Sequence, residues 1–558
     1  MKGPSKREPQ TTENYSQWAE SSISRIRTAI PMFKNLYDPP APATTSTNKE
    51  LTSIDERLPT TFSSPPLMPG FVTCLTEMLG EGAVPTPIQA LSIKWLLAQN
   101  ADILSSATQW RHFLLASDTG SGKSIAYLLP VLQHLKQSER RGQKAAMRSM
   151  SGLDLNPRAL IIAPTHELAR QLSRFAKKLL HEVKLSVMCA SRGDIFSRDV
   201  ARVKKGFDII HEDIEAKGAN SLADVVVGTP MTLLEKARGR GWQRLKVEEG
   251  NNAGEDAWQR GPGKPKMCLA NVDVDLPTDP DFQEHTRMLL AAISSARGSP
   301  VQYSSDSSLS RNAIAKNDNP KSIGSTGTQP LNYPFNLILT TATIPSALAS
   351  YLDRHHPNLV RLASPTLHHL PKTLATEYVA WTGGNKFADI ERRIRQVWAD
   401  DSVASMRNLS KILIFCNKNT KVTELGEYLT GQGIKNMALT SASKDRKYGS
   451  NKHLEGFLRP LSREERQEHQ HRGTQTSVRD EPHVMITTSL LSRGLDFSPD
   501  VRHVFIVDEP RNMIDFLHRA GRSGRAGQKG KVVVFGKMKG RGSAQAKETR
   551  KRIGALAA

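Results

Sequence analysis

A glycine-rich segment at residues 117–124 has the composition of a phosphate-binding loop. It lies between an apolar run at 113–115 and an amphipathic helical pattern. Its residues are Ser117, Asp118, Thr119, Gly120, Ser121, Gly122, Lys123 and Ser124. In such a loop the glycines let backbone N–H groups approach phosphate oxygens, the lysine reaches the β- and γ-phosphates, and the last serine hydroxyl ligates Mg²⁺. We therefore expect ATP to bind here, with Lys123 as a catalytic cation and Ser124 as the metal ligand. A coincidental glycine-rich turn is the alternative, because Ser117 stands where the simple pattern has glycine.

A second candidate segment, Pro85–Gln89, lies upstream of the loop. Taken alone, its proline–threonine–proline run marks only the start of a helix. The amide of Gln89 offers one donor and one acceptor, which is the pair needed to bind the edge of adenine. With the loop downstream, Thr86 and Gln89 become candidate nucleotide-binding residues.

Arginines follow one another closely at residues 518–527, where glycines separate them. Arg522 and Arg525 at this spacing suit bidentate contact with phosphate and could act as arginine fingers on a transferring phosphoryl group. A basic surface loop is the alternative interpretation. If the first interpretation holds, a cleft between two domains closes on the nucleotide.

The elements that must position these residues follow an alternating pattern of short apolar runs and helical segments. The pattern runs from about residue 85 to 365 and restarts at Ile412. Strands that alternate with helices indicate a parallel sheet, so two α/β domains in tandem are expected. We divide the chain into a flexible leader, a first domain, a second domain and a basic tail, at residues 1–60, 61–365, 366–536 and 537–558. Polar insertions are expected near 236–266, 297–330 and 441–482.

Composition agrees with a soluble chain that has a polyanionic partner. The chain has 558 residues, and 77 Lys+Arg against 55 Asp+Glu give a net charge of +22. A basic protein gains affinity for nucleic acid from counterion release, although a basic surface kept for solubility would give the same charge. No apolar run approaches the roughly 20 residues of a membrane span. The four cysteines are scattered without metal-ligand spacing, so no structural zinc is expected.

Taken together, these segments resemble the motifs of the DEAD-box RNA helicase family, in the family's order. Pro85–Gln89 resembles the Q motif, and Phe62 resembles the aromatic residue that stacks on adenine. The segments similar to motifs I, Ia, Ib and III are 117–124, 164–171, 228–230 and 341–343, with His166 in place of Arg and Thr341 in place of Ser. In the second domain 414–417, 488–496 and 518–525 resemble motifs IV, V and VI, with Ser489 where Asp is common.

The resemblance implies two RecA-like domains that bind ATP, Mg²⁺ and RNA. It adds Asp496 to the nucleotide-binding residues and assigns Thr341 and Thr343 to the coupling of ATP binding with strand separation. It implies that RNA is bound by Pro164, Thr165, Arg170, Gly228, Thr229, Thr488, Arg493 and Gly494. Contact mainly through backbone phosphates and 2′-OH groups predicts a weak sequence preference.

The departures from the family pattern look like the fungal mitochondrial branch. That similarity implies a role in mitochondrial RNA metabolism, a ribosomal ribonucleoprotein as a candidate partner, and a monomeric protein. It also implies a transit peptide, although Glu8, Glu13 and Glu20 weaken that interpretation of the leader.

The Asp-Glu-Ala-Asp tetrapeptide that names the family is absent, and 269–282 carries Asp273 and Asp275 instead. In the family this motif holds Mg²⁺ and orients the attacking water. We consider the segment too short to supply both the central strand and a carboxylate at its end. We therefore expect the first sheet to lack that strand and this chain to be a poor ATPase. Either a coding segment is lost, or the chain is an RNA-binding scaffold without hydrolysis. A DNA translocase is disfavoured by Gln89.

Overall fold

The structure is a computed structural model that describes two α/β domains and a helical segment near the carboxyl terminus. It describes residues 58–63, 67–97, 110–140, 157–191, 223–235, 267–270, 280–301, 330–344, 346–364, 367, 370–404, 409–440, 443, 451–454, 456–459, 481–489, 495–510, 512–524, 528–537, 547, 548, 550, 551 and 553.

The first domain is built on a parallel sheet. In the described part of the chain its strands are β1 (His112–Ala116), β2 (Ala159–Ile162), β3 (Val187–Ala190), β4 (Val225–Gly228), β5 (Met267–Ala270), β6 (Asn336–Thr341) and β7 (Val360–Ala363). Their order in the sheet is β3-β4-β2-β5-β6-β1-β7. The described α-helices of this domain are α1 (Pro69–Leu79) and α2 (Pro87–Ser92), which precede β1, and α3 (Lys123–Arg140), α4 (His166–Leu179), α5 (Pro280–Ala296) and α6 (Ser346–His355), which connect strands.

Helices cover both faces of this sheet, as a parallel sheet requires. Every residue of β2 and β4 is buried, in agreement with their continuous apolar runs. One core cluster contains Leu128 of α3 and Ile161 of β2, and the cluster on the other face contains Ile162 of β2 and Leu337 of β6. The expected α/β fold class is confirmed.

The expectation that this sheet lacks its central strand is wrong. Strand β5 lies between β2 and β6, with Cys268 aligned with Leu160 on one side and with Leu337 on the other. The four residues before Asn271 are enough for a short parallel strand. The sequence interpretation failed because it looked for the strand at residues 272–275 and judged that stretch too short, whereas the strand is formed by the preceding residues Met267–Ala270. Residues 271–279, which include both aspartates, lie outside the described residues.

The second domain repeats the architecture. Its described strands are β8 (Leu374–Ala380), β9 (Lys411–Phe415), β10 (Asn436–Leu439), β11 (Val484–Thr487), β12 (Val501–Ile506) and β13 (Gly530–Gly536), and its helices are α7 (Lys386–Val403), α8 (Asn419–Gly431) and α9 (Met513–Ala520). The strand order is β10-β11-β9-β12-β13-β8, and every pairing is parallel. The predicted domain boundary near residue 365 falls between β7 and β8.

Parts of the predicted organisation fall outside the described residues. These parts are the leader to residue 57, the insertion at 236–266, most of the insertions at 297–330 and 441–482, and Arg493, Gly494 and Arg525 of the site. In the predicted basic tail, residues 547–551 include described helical positions, and Ile553 is buried in the core of the second domain. Among the helices that the structure describes, none is long and apolar enough to cross a membrane.

Candidate functional site

The phosphate loop lies at the carboxyl end of β1 and leads into α3. Gly120 and Gly122 adopt φ values of 82° and 84°, in the left-handed region that glycine adopts without strain. A Cβ atom on Gly122 would lie 2.3 Å from Nε2 of Gln89. Both the backbone conformation and the lack of space therefore require glycine at position 122.

The ammonium of Lys123 lies against the loop's own backbone. Its Nζ donates hydrogen bonds to the carbonyl oxygens of Ser117, at 2.5 Å, and Asp118, at 2.7 Å. Ser124 follows it in the first turn of α3 and is partly exposed. The side chain of Lys123 thus reaches across the loop that would hold the phosphates.

The Q-motif segment packs directly against this loop. The backbone N–H of Thr86 donates to Oε1 of Gln89 at 2.9 Å, and Nε2 of Gln89 donates to the carbonyl oxygen of Gly122 at 3.1 Å. The hydroxyl of Thr86 donates to the carbonyl oxygen of Ser121 at 2.8 Å. Both ends of the Gln89 amide are therefore bound to protein, and the segment supports the loop.

Phe62 does not present an open ring face. Its side chain is 5% exposed and belongs to the core cluster of the first domain. The stacking of Phe62 on adenine and the recognition of adenine by Gln89 stay predictions.

The motif III threonines are joined to the phosphate loop through the sheet. The backbone N–H of Ser117 donates to the carbonyl oxygen of Thr341 at 3.2 Å. The hydroxyl of Thr341 donates to the carbonyl oxygen of Thr343 at 2.6 Å and accepts from the Thr343 N–H at 3.2 Å. Both threonines are buried, so a displacement of the phosphate loop would also displace the turn at Thr341 and Thr343.

The second domain contacts the phosphate loop through the arginine-rich segment. The hydroxyl of Thr119 donates to the carbonyl oxygen of Gly521 at 3.2 Å. A Cβ atom on Gly521 would lie 1.7 Å from Oγ1 of Thr119, so a larger residue could not approach so closely. Motifs I and VI are therefore in contact, as the arginine-finger hypothesis requires.

Arg522 itself is held by its own domain. Its Nε donates to the carbonyl oxygen of His518 at 2.9 Å, and one of its terminal nitrogens donates to that of Leu495 at 3.1 Å. The side chain is 3% exposed. It lies in the loop that reaches Thr119, but its contact with a γ-phosphate stays a prediction.

A second set of contacts joins motif Ia of the first domain to the second domain. The side chain of Gln171 and the backbone of Asp496 exchange two hydrogen bonds, at 3.1 and 3.4 Å. The Asn451 amide donates to the carbonyl oxygen of Glu167 at 2.9 Å and accepts from Arg170 at 3.3 Å. Sequence analysis missed Asn451 because it lies in a polar stretch interpreted as an insertion. No local pattern indicates its contact with Glu167 and Arg170, which are 284 and 281 positions away.

Most predicted RNA-binding residues of the first domain lie just beyond the carboxyl ends of its strands. Pro164 and Thr165 follow β2, and the Thr165 hydroxyl caps α4 by accepting from the Leu168 N–H at 3.3 Å. Gly228 ends β4, where a Cβ atom would lie 2.8 Å from the carbonyl oxygen of Ala190. Thr229 follows it. The edge at the carboxyl ends of parallel strands is where ligands bind in α/β proteins.

Thr488 follows β11 at the corresponding edge of the second domain, where a buried arginine joins three motifs. Arg519 has no exposed surface and donates to Asp515 at 2.9 Å, to Asn417 at 2.7 Å and to Ser489 at 2.9 Å. The family's common Asp is Ser489 here, so a carboxylate partner of Arg519 is Asp515, one helical turn away. Arg519 therefore fixes motifs IV, V and VI relative to one another, a role that sequence analysis did not assign.

Comparisons with known proteins agree with this arrangement. The family model described as DEAD/DEAH box helicase matches residues 86–247, and that described as Helicase conserved C-terminal domain matches residues 397–527. The mitochondrial ATP-dependent RNA helicase MRH4 of Cryptococcus neoformans is 31% identical over 537 residues, covering 89% of this chain and 85% of the relative. The probable ATP-dependent RNA helicase DDX28 of Mus musculus is 25% identical and covers 84% of this chain and 68% of the relative.

Solved structures show the same fold. S. cerevisiae Dbp5 bound to RNA and ADP BeF3 aligns with a TM-score of 0.53 at 18% identity, covering 89% of this chain and 94% of that one. Mss116 bound to ssRNA and UDP-BeF aligns with a TM-score of 0.53 at 16% identity, covering 84% and 73%. With the two family matches and the 31% identical relative, the chain belongs to the DEAD-box family of ATP-dependent RNA helicases.

Proposed function

We propose that this helicase binds ATP and Mg²⁺ between its two domains and uses turnover to open short RNA duplexes or to remodel ribonucleoprotein in mitochondria. The observation that carries the proposal is the contact between Thr119 and Gly521, which brings the phosphate loop of one domain against the arginine-rich segment of the other. A phosphate loop that meets an arginine-rich segment suits a nucleoside triphosphate.

The described residues fit the nucleotide and its metal. Mg²⁺ prefers oxygen ligands, and Ser124 offers a partly exposed hydroxyl next to Lys123 in the chain. Bound Mg²⁺ would neutralise phosphate charge. The chain's own residues do the rest: the loop N–H groups cradle the phosphates, and the Lys123 ammonium exchanges its backbone carbonyl partners for phosphate oxygens.

RNA would lie along the carboxyl ends of both sheets. Pro164, Thr165, Gly228 and Thr229 of the first domain and Thr488 of the second occupy this edge. The solved structures of Dbp5 and Mss116 contain RNA, which supports the same class of partner here. Because ATP and RNA would both bridge the domains, each should strengthen the binding of the other.

A mitochondrial location is supported by the relatives. The first relatives in the comparison, including MRH4 of Cryptococcus neoformans, are named mitochondrial ATP-dependent RNA helicases. We propose that the protein works there on a ribosomal ribonucleoprotein. We also propose that it is a monomer, because the contacts that join its two domains form within one chain. Imaging of the tagged full-length protein beside a mitochondrial marker tests the location.

Strand displacement tests the activity. A short RNA duplex with a fluorescent strand should open when protein, Mg²⁺ and ATP are present, and it should stay closed with a non-hydrolysable ATP analogue. A DNA duplex of the same sequence serves as the control for RNA preference. Equal opening of the DNA duplex would instead support a DNA translocase.

A non-hydrolysing RNA-binding scaffold is the second candidate, because residues 272–275 are Val, Asp, Val and Asp instead of Asp-Glu-Ala-Asp. The intact first sheet, with β5 in its centre, removes the stability argument for this alternative. The loss of the motif's glutamate is the argument that stays, so we expect turnover by this chain to be slow even when RNA stimulates it.

A further inference from the structure

A tyrosine hydroxyl is buried in the first domain just behind the phosphate loop. Tyr127, in α3, is 1% exposed and packs in the core cluster that also contains Ile88 of α2 and Ile161 of β2. In the part of the chain that the structure describes, its Oη atom forms no hydrogen bond of ordinary geometry. A phenylalanine would fill the same space without leaving a buried polar atom unsatisfied. Packing alone therefore does not explain the hydroxyl.

The position of Tyr127 in α3 directs this hydroxyl toward Ser124. The helix begins at Lys123, so Tyr127 lies three residues after Ser124, in the second half of the first turn. Residues three apart share one face of a helix, and long side chains on a helix point toward its amino terminus. Burial raises the pKa of Tyr127, and the hydroxyl of Ser124 opposes that rise, which agrees with this placement. The phenol is thus neutral, and its oxygen lies beside the side chain of Ser124.

Ser124 lies between the open loop and this buried phenol. Ser124 is partly exposed, whereas Tyr127 is not. A serine hydroxyl that holds Mg²⁺ does so through an oxygen lone pair and keeps its O–H as a donor. The oxygen of Tyr127 has lone pairs that can accept this hydrogen bond. Groups that accept a hydrogen bond from a metal ligand fix its orientation and strengthen its binding.

We propose that Tyr127 is a positioning residue for the metal of the bound nucleotide, with its Oη atom accepting a hydrogen bond from the hydroxyl of Ser124. The proposal rests on the proposed function, in which Ser124 holds Mg²⁺, and deepens it by adding a residue that sequence analysis did not single out. A hydroxyl that gains its partner only when the metal binds should affect metal binding and leave the fold unchanged.

The test measures how nucleotide binding by the full chain depends on Mg²⁺. A fluorescent, non-hydrolysable ATP analogue is titrated with protein at several Mg²⁺ concentrations and in EDTA. Tyr127→Phe removes the Oη atom and keeps the ring. Tyr428→Phe is the matched control, because it removes a hydroxyl that donates to Glu391 at 2.9 Å in the second domain. Thermal melting without nucleotide shows whether each variant is folded.

Tyr127→Phe should raise the Mg²⁺ concentration needed for half-maximal nucleotide binding about 10-fold, the lower end of the usual effect for a group that supports a metal ligand. Affinity in EDTA should equal that of the wild type. The melting temperature should not fall, because the lost hydroxyl has no hydrogen bond among the described residues. Tyr428→Phe should leave the Mg²⁺ requirement unchanged.

Ser124→Ala supplies the second arm of the test. If Tyr127 acts through Ser124, Tyr127→Phe should have no further effect on the Mg²⁺ requirement in the Ser124→Ala background. A wild-type Mg²⁺ requirement in the Tyr127 single variant would overturn the proposal. Equal losses of affinity in Mg²⁺ and in EDTA, or additive effects in the double variant, would also overturn it. An unchanged Mg²⁺ requirement in the Ser124 single variant would instead contradict the metal site of the proposed function.

Discussion

Gly521 determines how closely the arginine-rich segment approaches the phosphate loop. An added Cβ atom would meet Thr119 Oγ1 at 1.7 Å and the carbonyl oxygen of Leu517 at 3.0 Å. Gly521→Ala should therefore block domain closure and lower RNA-stimulated ATPase at least 10-fold. The control is Gly431→Ala, where nothing lies within 4 Å of the added atom. Equal activity of the two variants would show that closure does not require the contact.

Asn451 offers a second test of domain closure. Asn451→Ala removes hydrogen bonds to Glu167 and Arg170, and each bond contributes about 0.5–1.5 kcal/mol. RNA affinity with a non-hydrolysable ATP analogue should fall roughly 5- to 30-fold. Asn436→Ala, which loses contacts within the second domain, is the matched control. Unchanged affinity in the Asn451 variant would remove this amide from the closure mechanism.

The buried ring of His356 should make the first domain less stable in acid. Its ring is buried, and its Nδ1 has no hydrogen-bond partner in the part of the chain that the structure describes. Burial, with nearby His112, lowers the pKa of His356 to about 3. In the unfolded chain the pKa of this histidine is near 6.5. At a pH between 6.5 and the folded value, the ring is protonated more often in the unfolded chain than in the folded one. The free energy of unfolding therefore falls as the pH falls.

At pH 5 the expected loss from His356 is about 2 kcal/mol relative to pH 7.5. Urea denaturation of the wild type and His356→Gln at both pH values measures it. The difference between the two pH values should be smaller in the variant. An identical difference would assign the acid sensitivity to other groups, such as His503, whose pKa burial lowers to about 4.

At the scale of elements, β5 ends at Ala270, at the carboxyl edge of the first sheet. Asp273 is the first carboxylate after this strand ends at Ala270. If it takes part in hydrolysis, Asp273→Asn should lower RNA-stimulated ATPase about 10²-fold, the lower range for loss of a catalytic acid or base. Glu284→Gln, at an exposed position in α5, is the control. Retained turnover in the Asp273 variant would assign the role to another carboxylate.

Apolar runs and the glycine-rich segment predicted most of the strands and the phosphate loop, because these elements depend on local sequence. The apolar runs at 225–227, 412–415 and 484–486 are strands, and the phosphate loop lies between β1 and α3 as its glycines and lysine indicate. Strand β5 was missed because its four residues are recognisable only through pairing with β2 and β6. Asn451 and Ile553 were missed because their partners are distant in sequence. Ile553 follows Arg550, Lys551 and Arg552, and a single apolar residue beside such a basic run shows no helical periodicity.

At the scale of the whole molecule, the net charge of +22 divides among several surfaces. Arg519 and Arg522 are buried and support the fold of the second domain, so they contribute little to an external field. Lys547, Arg550 and Lys551, near the carboxyl terminus, are exposed. The overall charge therefore predicts affinity for a polyanion, whereas the contacts between the two domains carry the specific prediction of ATP-dependent closure.

RNA-stimulated ATP hydrolysis by the purified full-length chain tests the central claim most directly. Phosphate release should rise at least 10-fold when RNA is added and should be lost in Lys123→Ala, because the ammonium that reaches the β- and γ-phosphates is then absent. Lys177→Ala, at an exposed position in α4, should retain wild-type turnover. RNA binding without phosphate release in the wild type would contradict the account and identify the chain as a scaffold on a helicase fold.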